Sequence, residues 1–177
     1  MRRFLITLLL LTPLTGCGYH TAGSATHIPA NVRTIAVPVF TTHVLAYHTE
    51  MALTQAVIRE LDTRTRLRIL TPDTPTSAAA QAADAVLSGT VLTQTNVPLT
   101  YDSTSGETSS YIVTITVKVL LTARDGRVLY RNDALSYREQ YQSTQDLTGF
   151  IREDPAAVSR LARDFAQALV GDMLESF

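Results

Sequence analysis

The sequence predicts an α+β fold: a two-layer sandwich in which two amphipathic helices cover a mostly antiparallel or mixed sheet of about four strands. Three observations predict it. Apolar and polar residues alternate through residues 111–119, as in a strand that is buried on one side only. Apolar residues recur at helical spacing in residues 44–61 and again near the C-terminus. An Asp-Gly dipeptide at 125–126 separates two extended segments and is typical of a tight hairpin.

The first half of the folded chain predicts two strands around one helix. Residues 33–40 (RTIAVPVF) indicate a buried strand with Pro38 near its end, because proline cannot donate a ladder hydrogen bond. Residues 66–70 indicate a short strand, and residues 71–83 a low-complexity loop. The helix over residues 44–61 is expected to bury a face whose members recur every three or four residues: Tyr47, Met51, Thr54, Ile58 and Leu61.

The second half predicts strands followed by a helix. Residues 85–95 suit a long strand with Gly89 at a bend or bulge, residues 98–110 a polar loop, and residues 127–141 the partner of the central strand 111–119. Asp154 is expected to be the N-cap of the last helix and Pro155 its first residue. Its apolar face contains Val158, Leu161, Ala162, Phe165, Ala168 and Leu169.

The N-terminus has the pattern of an export signal. Arg2 and Arg3 precede an apolar run, and residues 14–17 (LTGC) match a lipobox, with small residues before the cysteine. The run is too short to span a bilayer as a helix. Residues 1–16 are therefore predicted to be a signal peptide, residues 17–31 a lipidated tether and residues 32–177 a single α+β domain.

Cys17 is the predicted lipidation site. It is the only cysteine of the chain, so it cannot form an intrachain disulfide. N-acyl and S-diacylglycerol groups on Cys17 would supply the several chains that stable anchoring requires, and no other cofactor is expected. The residue after Cys17 is Gly18. An aspartate at that position retains enterobacterial lipoproteins in the inner membrane, so a glycine favours the outer membrane. The alternative is a soluble secreted protein with a chance cysteine at the cleavage site.

Charge and motifs argue against two classes of function. Residues 1–16 hold two of the fifteen basic residues and none of the sixteen acidic ones, so the remaining 161 residues carry a net charge of −3. That balance argues against nucleic-acid binding. The chain contains no nucleophile-elbow, dinucleotide or P-loop motif, and the spacing of His43 and His48 does not suit a metal site. We predict no catalytic residues, no metal and no enzymatic activity.

Two groups of basic residues are candidates for binding an acidic partner. Arg64, Arg66 and Arg68 would share one face if their segment were extended. Lys118, Arg124, Arg127 and Arg131 surround the predicted hairpin. For both groups, the alternative is an ordinary solvated surface.

Several segments together resemble the LptE family of lipopolysaccharide-assembly lipoproteins. They are residues 16–20 (GCGYH), the strand RTIAVPVF, Glu50 with Leu53-Thr54 in the first helix, residues 83–91 (ADAVLSGTV), and the apolar pattern of the last helix. Residues 83–91 are the most informative of these, and the resemblance covers most of the chain beyond residue 16.

The resemblance implies a non-enzymatic protein that plugs a large outer-membrane β-barrel, LptD, assists its assembly and contacts lipopolysaccharide. It implies an outer-membrane location, anchored by lipid and facing the periplasm or inside the barrel lumen. Lys118, Arg124, Arg127 and Arg131 are the predicted lipopolysaccharide contacts. The alternative function is a lipoprotein subunit of an envelope ABC or lipid-transport system.

Overall fold

The computed structural model of the protein describes residues 28–29, 31–44, 49–101, 103, 108–142 and 155–175. The strands in these residues are β1 (Thr34–Ala36), β2 (Thr41–Thr42), β3 (Arg68–Leu70), β4 (Ala85–Tyr101), β5 (Thr108–Ala123) and β6 (Val128–Gln142). The helices are α1 (Thr49–Arg64), α2 (Ala78–Ala82) and α3 (Pro155–Glu175).

The six strands form one mixed sheet in the order β3-β1-β4-β5-β6, and β2 also pairs with β4. β1 lies parallel to β3 and β4, and β2 lies parallel to β4. β4, β5 and β6 form an antiparallel meander. The predicted α+β class with a mixed sheet is confirmed. The predicted count of about four strands and two helices is wrong, because the described residues contain six strands and three helices.

One additional strand arises because residues 34–42 pair with β4 in two separate stretches, β1 and β2. Residues 33–40 do not form one strand: β1 ends at Ala36, and β2 pairs with β4 farther along, with Thr41 opposite Thr90. Between them Val37 donates its N–H to the carbonyl of Leu70 at 2.8 Å, while Pro38 has no N–H to donate. Pro38 lies just beyond the end of β1, as its chemistry predicts.

The core lies between one face of the sheet and the pair α1 and α3. On β5, Val113, Ile115, Val117 and Val119 face the helices and are at most 3% exposed, and Tyr111 is half-buried, whereas Lys118 on the opposite face is exposed. The predicted one-sided burial of this strand is confirmed. The predicted hairpin is confirmed as well, because Gly126 adopts φ 86° and donates its N–H to the carbonyl of Ala123 at 2.9 Å.

Residues 98–101 and 108–110, the two ends of the expected polar loop, belong to strands β4 and β5. The β4–β5 ladder continues through the pairs Pro98–Tyr111 and Thr100–Ser110. The hydroxyl groups of Thr100 and Ser110 are hydrogen-bonded at 2.6 Å. Cross-strand pairing thus extends a polar segment that local composition alone assigns to a loop.

The buried face of α1 includes Thr54 and Leu61 from the predicted face, but it does not include Met51. Met51 is 43% exposed, whereas Leu53, Val57 and Leu61 are fully buried. At about 100° per residue, Met51 lies roughly 120° from the centre of that buried face. Thr54 is buried as predicted, because its hydroxyl accepts the N–H of Phe40 at 2.9 Å and donates to the carbonyl of Glu50 at 2.6 Å. The predicted contribution of Tyr47 lies outside the described residues.

Helix α3 starts at Pro155 as predicted, while the proposed cap Asp154 lies outside the described residues. Its central residues Leu161, Phe165 and Leu169 are buried as expected. Phe165 packs edge-on against Tyr137 with ring centroids 5.8 Å apart.

A short helix, α2, interrupts the predicted loop of residues 71–83. Its N-terminus is capped by Ser77, whose side-chain oxygen accepts the N–H of Ala80 at 3.2 Å. The alanines that follow are strong helix formers, and Ala80 packs against Ala36 and Ala83.

The contact between β4 and Phe40 generates the first prediction. A Cβ atom on Gly89 would lie 2.4 Å from Cδ2 of the buried Phe40 ring. We expect Gly89→Val to lower the free energy of unfolding by about 2 kcal/mol or more, because a packed core does not absorb added volume. Urea denaturation followed by circular dichroism measures the change. The control is Gly171→Ala, whose nearest neighbour is the flexible Arg64 side chain at 3.5 Å. Equal stability of the two variants would contradict the assigned packing.

Candidate functional site

The structure separates the four predicted basic residues into two groups. Lys118 and Arg131 meet at Asp133, on the sheet face that α1 and α3 leave uncovered. Arg124 and Arg127 lie at the hairpin turn. Arg124 follows Lys118 by six positions along extended backbone, which separates the two residues by roughly 20 Å. The four residues therefore form two sites rather than one cluster.

A bulge between β5 and β6 builds the first group. Val117 pairs with Leu135 but Val119 pairs with Asn132, so β6 contains one extra residue opposite Lys118. The side chain of Asn132 shapes this bulge by accepting the N–H of Ala134 at 3.1 Å. The irregular strand places Asp133 beside the two cations.

Asp133 neutralises part of the charge at this position. Arg131 Nε lies 2.8 Å and 3.0 Å from the two carboxylate oxygens, and Lys118 Nζ lies 3.4 Å from Oδ1. The hydrogen bond from Arg131, followed by the charge of Arg131 and the interaction with Lys118, holds the pKa of Asp133 below its ordinary value. All three side chains are about half exposed, so the group carries a net charge of +1 that solvent and ligands can reach.

Arg124 at the turn makes contacts within the fold. Its Nε donates to the carbonyl of Ala83 at 3.0 Å, and its Nη2 contacts the carbonyl of Ala82 and lies 3.5 Å from Asp84 Oδ1. A cation at the end of α2 complements the helix dipole. Arg124 thus connects the β5–β6 turn to α2, whereas Arg127 lies 4.0 Å from Asp125 within the turn itself.

Asp84 is the centre of this connection. Its Oδ2 accepts the backbone N–H groups of Arg33 and Thr34, both at 3.0 Å, and the Thr34 hydroxyl at 2.8 Å. These hydrogen bonds, with the one from Arg33 strongest, lower the pKa of the Asp84 carboxyl. Asp84 therefore joins β1 to β4 while Arg124 joins it to the turn.

The uncovered face of the sheet is rich in hydroxyl groups. Its register places these side chains on it: Ser88, Thr90, Thr93, Thr95, Thr114, Thr116, Thr122 and Ser136. Of the described helices only α2 packs there, at a corner next to Val86. The face also carries the charged side chains of Lys118, Arg131, Asp133 and Arg138, and its hydroxyl groups can hydrogen-bond to water or sugars.

Sequence reasoning missed Arg138 and Asp133. Arg138 pairs with Thr114 across β6 and β5 and is exposed on the same face as Lys118. The alternation of residues 136–140 could have revealed Arg138. Asp133 could not be placed in the same way, because the bulge shifts the register. The predicted row Arg64, Arg66, Arg68 is wrong: Arg64 ends α1 and pairs with Glu60 at 2.5 Å, and of the three only Arg68 lies in a strand.

The remaining candidates for a functional site are the surface cavities, groups of possible metal ligands, and the cysteine and histidines. Surface cavities of about 330 and 510 Å³ flank Arg124; the first is lined mainly by turn and loop residues, and the second also by residues of α2, β4 and β5. In the described part of the chain, no group of histidine, cysteine and acidic residues could hold a metal ion. Among the same residues, no helix is both long and apolar enough to span a membrane. Cys17, His20, His27 and His48 lie outside the described ranges, and His43 is exposed.

Comparison with known proteins gives one family and several distant structures. The family model "LptE: Lipopolysaccharide-assembly" matches residues 32–173. No curated protein matches the chain. A PelC dodecamer from Paraburkholderia phytofirmans is 16% identical, covering 87% of this chain and 94% of that chain with a TM-score of 0.47.

Two lipoprotein structures are about as distant. A putative lipoprotein from Caulobacter crescentus is 13% identical, covering 77% of this chain and 88% of that chain with a TM-score of 0.48. An uncharacterized lipoprotein B from Nitrosomonas europaea is 13% identical, covering 89% and 88% with a TM-score of 0.45. These structures are too remote to identify a function.

The Asp84 contacts predict a pH dependence. A lowered pKa means that Asp84 adds stability above its ordinary pKa near 3.8, and that this contribution is lost as the pH falls through the lowered value. We expect Asp84→Asn to be less stable than the wild type at about pH 6 and to lose less stability on acidification to about pH 2. Urea midpoints at both pH values measure this. Asp73→Asn, in an exposed loop, is the control; a wild-type pH response in Asp84→Asn would contradict the role of Asp84.

Proposed function

The chain belongs to the LptE family of lipopolysaccharide-assembly proteins, and from this membership we propose that it is a non-enzymatic outer-membrane lipoprotein. It plugs an LptD-like β-barrel, assists the assembly of that barrel and contacts lipopolysaccharide on its way to the outer leaflet. The domain that would form the plug is residues 32–177, which almost coincides with the family match.

The observation that supports the plug most directly is the uncovered, hydroxyl-rich face of the sheet. The lumen of an outer-membrane barrel is polar, in contrast to its lipid-facing surface. A plug therefore needs a rigid domain that presents polar groups without requiring lipid contact. Strand β4 makes the proposed plug long, since its seventeen residues span roughly 55 Å.

The lipid on Cys17 would hold the plug beside its barrel. Acyl chains on the mature N-terminus keep the protein at the membrane, and residues 17–31 connect them to the domain. This arrangement places the domain at the periplasmic side of the outer membrane or inside the lumen.

Lys118 and Arg131 are the proposed contacts for lipopolysaccharide phosphates, with Arg138 on the same face. Guanidinium and ammonium groups bind phosphate through charge-assisted hydrogen bonds. A phosphate that approaches them would compete with Asp133 for the same donors. Arg127 is a second candidate at the turn, whereas the contacts of Arg124 with Asp84 and α2 give it a role in holding the turn.

The barrel association is tested by affinity purification of the full-length acylated protein from detergent-solubilised envelopes, with mass spectrometry of the bound proteins. We expect a stoichiometric large outer-membrane barrel, and less of it with Cys17→Ala, because loss of the lipid removes the protein from the membrane surface. An inner-membrane transporter in place of the barrel would overturn the proposal and support the transport-subunit alternative.

The lipopolysaccharide contact is tested by fluorescence anisotropy with labelled lipopolysaccharide. We expect the double variant Lys118→Ala/Arg131→Ala to bind about tenfold more weakly, since each exposed charge contact contributes up to about 1 kcal/mol. Asp133→Asn should bind more tightly than the wild type, because it removes the competing carboxylate. The matched control is Arg163→Ala, an exposed cation on α3. Equal losses in the control and the double variant would contradict a local site.

A further inference from the structure

The segment of residues 73–83, which contains α2, is held to the rest of the domain by few contacts. Its two ends are fixed by the buried Pro72 and by the hydrogen-bonded Asp84. Of residues 73–83, all of which the structure describes, only Ala80 and Ala83 are buried. Because alanine has a single methyl group, burying two of them contributes little free energy to closing the segment.

The hydrogen bonds of this segment are mostly internal. The cap and the turns of α2 join its residues to one another, and so does the contact of Gln81 Nε2 with the Thr76 carbonyl at 3.1 Å. Among the described residues, Arg124 is the one that reaches the segment from elsewhere: Nε donates to the Ala83 carbonyl at 3.0 Å and Nη2 to the Ala82 carbonyl. The guanidinium group therefore supplies the polar attachment of residues 73–83.

A cavity of about 510 Å³ lies between this segment and the sheet. Ala80 and Gln81 line it from the segment, and Val86 and Thr122 line it from β4 and β5. The Arg124 side chain borders the same space and is 59% exposed. Protein cores leave few voids larger than a water molecule, so a space of this size shows that the segment is not packed tightly against the sheet.

The segment covers an apolar row at a corner of the hydroxyl-rich face. Leu70, Ala36 and Val86 lie side by side on β3, β1 and β4. Ala80 packs against this row together with Ala83. Movement of the segment away from the sheet would therefore expose apolar side chains from three neighbouring strands.

We propose that residues 73–83 form a strap that opens as a unit while the sandwich stays folded, and that Arg124 is the latch that holds the strap closed. A five-residue helix is not stable by itself, so α2 forms only while the strap is closed. Opening changes one corner of the uncovered face from polar to apolar. This inference goes beyond the proposed function, and it is tested on the protein alone, without a barrel or lipopolysaccharide.

Hydrogen exchange with mass spectrometry on the full-length acylated protein in detergent tests the strap. In the wild type we expect the amides of residues 80–83 to exchange at least about a hundredfold faster than those in the centre of β4 and β5, because local opening exposes them without global unfolding. Arg124→Ala should accelerate residues 80–83 at least about tenfold more and leave β4 and β5 unchanged.

Two results of this experiment would overturn the proposal. If residues 80–83 of the wild type exchange as fast as an unfolded peptide, the strap does not close. If Arg124→Ala accelerates the amides of β4 and β5 as much as those of residues 80–83, Arg124 stabilises the whole domain and is not a latch.

Arg127→Ala is the matched control. It removes the same charge from the same turn, where Arg127 lies 4.0 Å from Asp125. We expect residues 80–83 to exchange at the wild-type rate in this variant. Equal acceleration in Arg127→Ala and Arg124→Ala would overturn the latch, because loss of one positive charge at the turn would then account for both.

Limited proteolysis with elastase provides a second readout. This protease accepts small residues, and residues 78–83 contain five alanines. Arg124→Lys keeps the charge but lacks the guanidinium fork, so it tests the latch with the smallest change to the fold. We expect cleavage within residues 78–83 to be at least about threefold faster in Arg124→Lys than in the wild type, and at least about tenfold faster in Arg124→Ala. Wild-type cleavage rates in both variants would overturn the latch.

Discussion

Helices α1 and α3 pack on one face of the sheet only, and the other surfaces of the domain follow from this arrangement. The buried side chains of β5 meet Phe165, Leu53 and their neighbours in one core. The opposite face carries threonine and serine hydroxyls together with Lys118, Arg131, Asp133 and Arg138. Such a face would suit the proposed position inside a water-filled barrel, whose lumen is polar.

The connection around Asp84 holds the edge of this sandwich together. One carboxylate accepts three hydrogen bonds from Arg33 and from Thr34 at the start of β1, and Arg124 links the same residue to the hairpin and to α2. Residues 83–91 are the most informative segment of the family resemblance, and Asp84 near their start has a structural role. Gly89, a later residue of the segment, makes room for Phe40, so this segment is constrained mainly by packing and backbone hydrogen bonds.

The proposed functional surfaces lie where the core does not reach. Lys118 and Arg131 surround Asp133 on the uncovered face, among the hydroxyl-bearing side chains of β4 and β5. The cations offer positive charge for phosphates, and the hydroxyl groups offer hydrogen bonds to a polar barrel wall. The proposed plug would thus contact a barrel and a glycolipid through different chemistry.

Local pattern by itself determined the α+β class, the one-sided burial of β5, the Gly126 turn and the start of α3 at Pro155, because each depends on periodicity or on the backbone preference of one or two residues. Tertiary structure decided the six-strand count, the exposure of Met51 on α1, and the division of the four basic residues into two groups. Asp133 reaches Lys118 only through a bulge, and Arg124 reaches Asp84 only through the pairing of β4 with β5. These contacts join residues that are distant in the sequence, so a local sequence pattern cannot predict them.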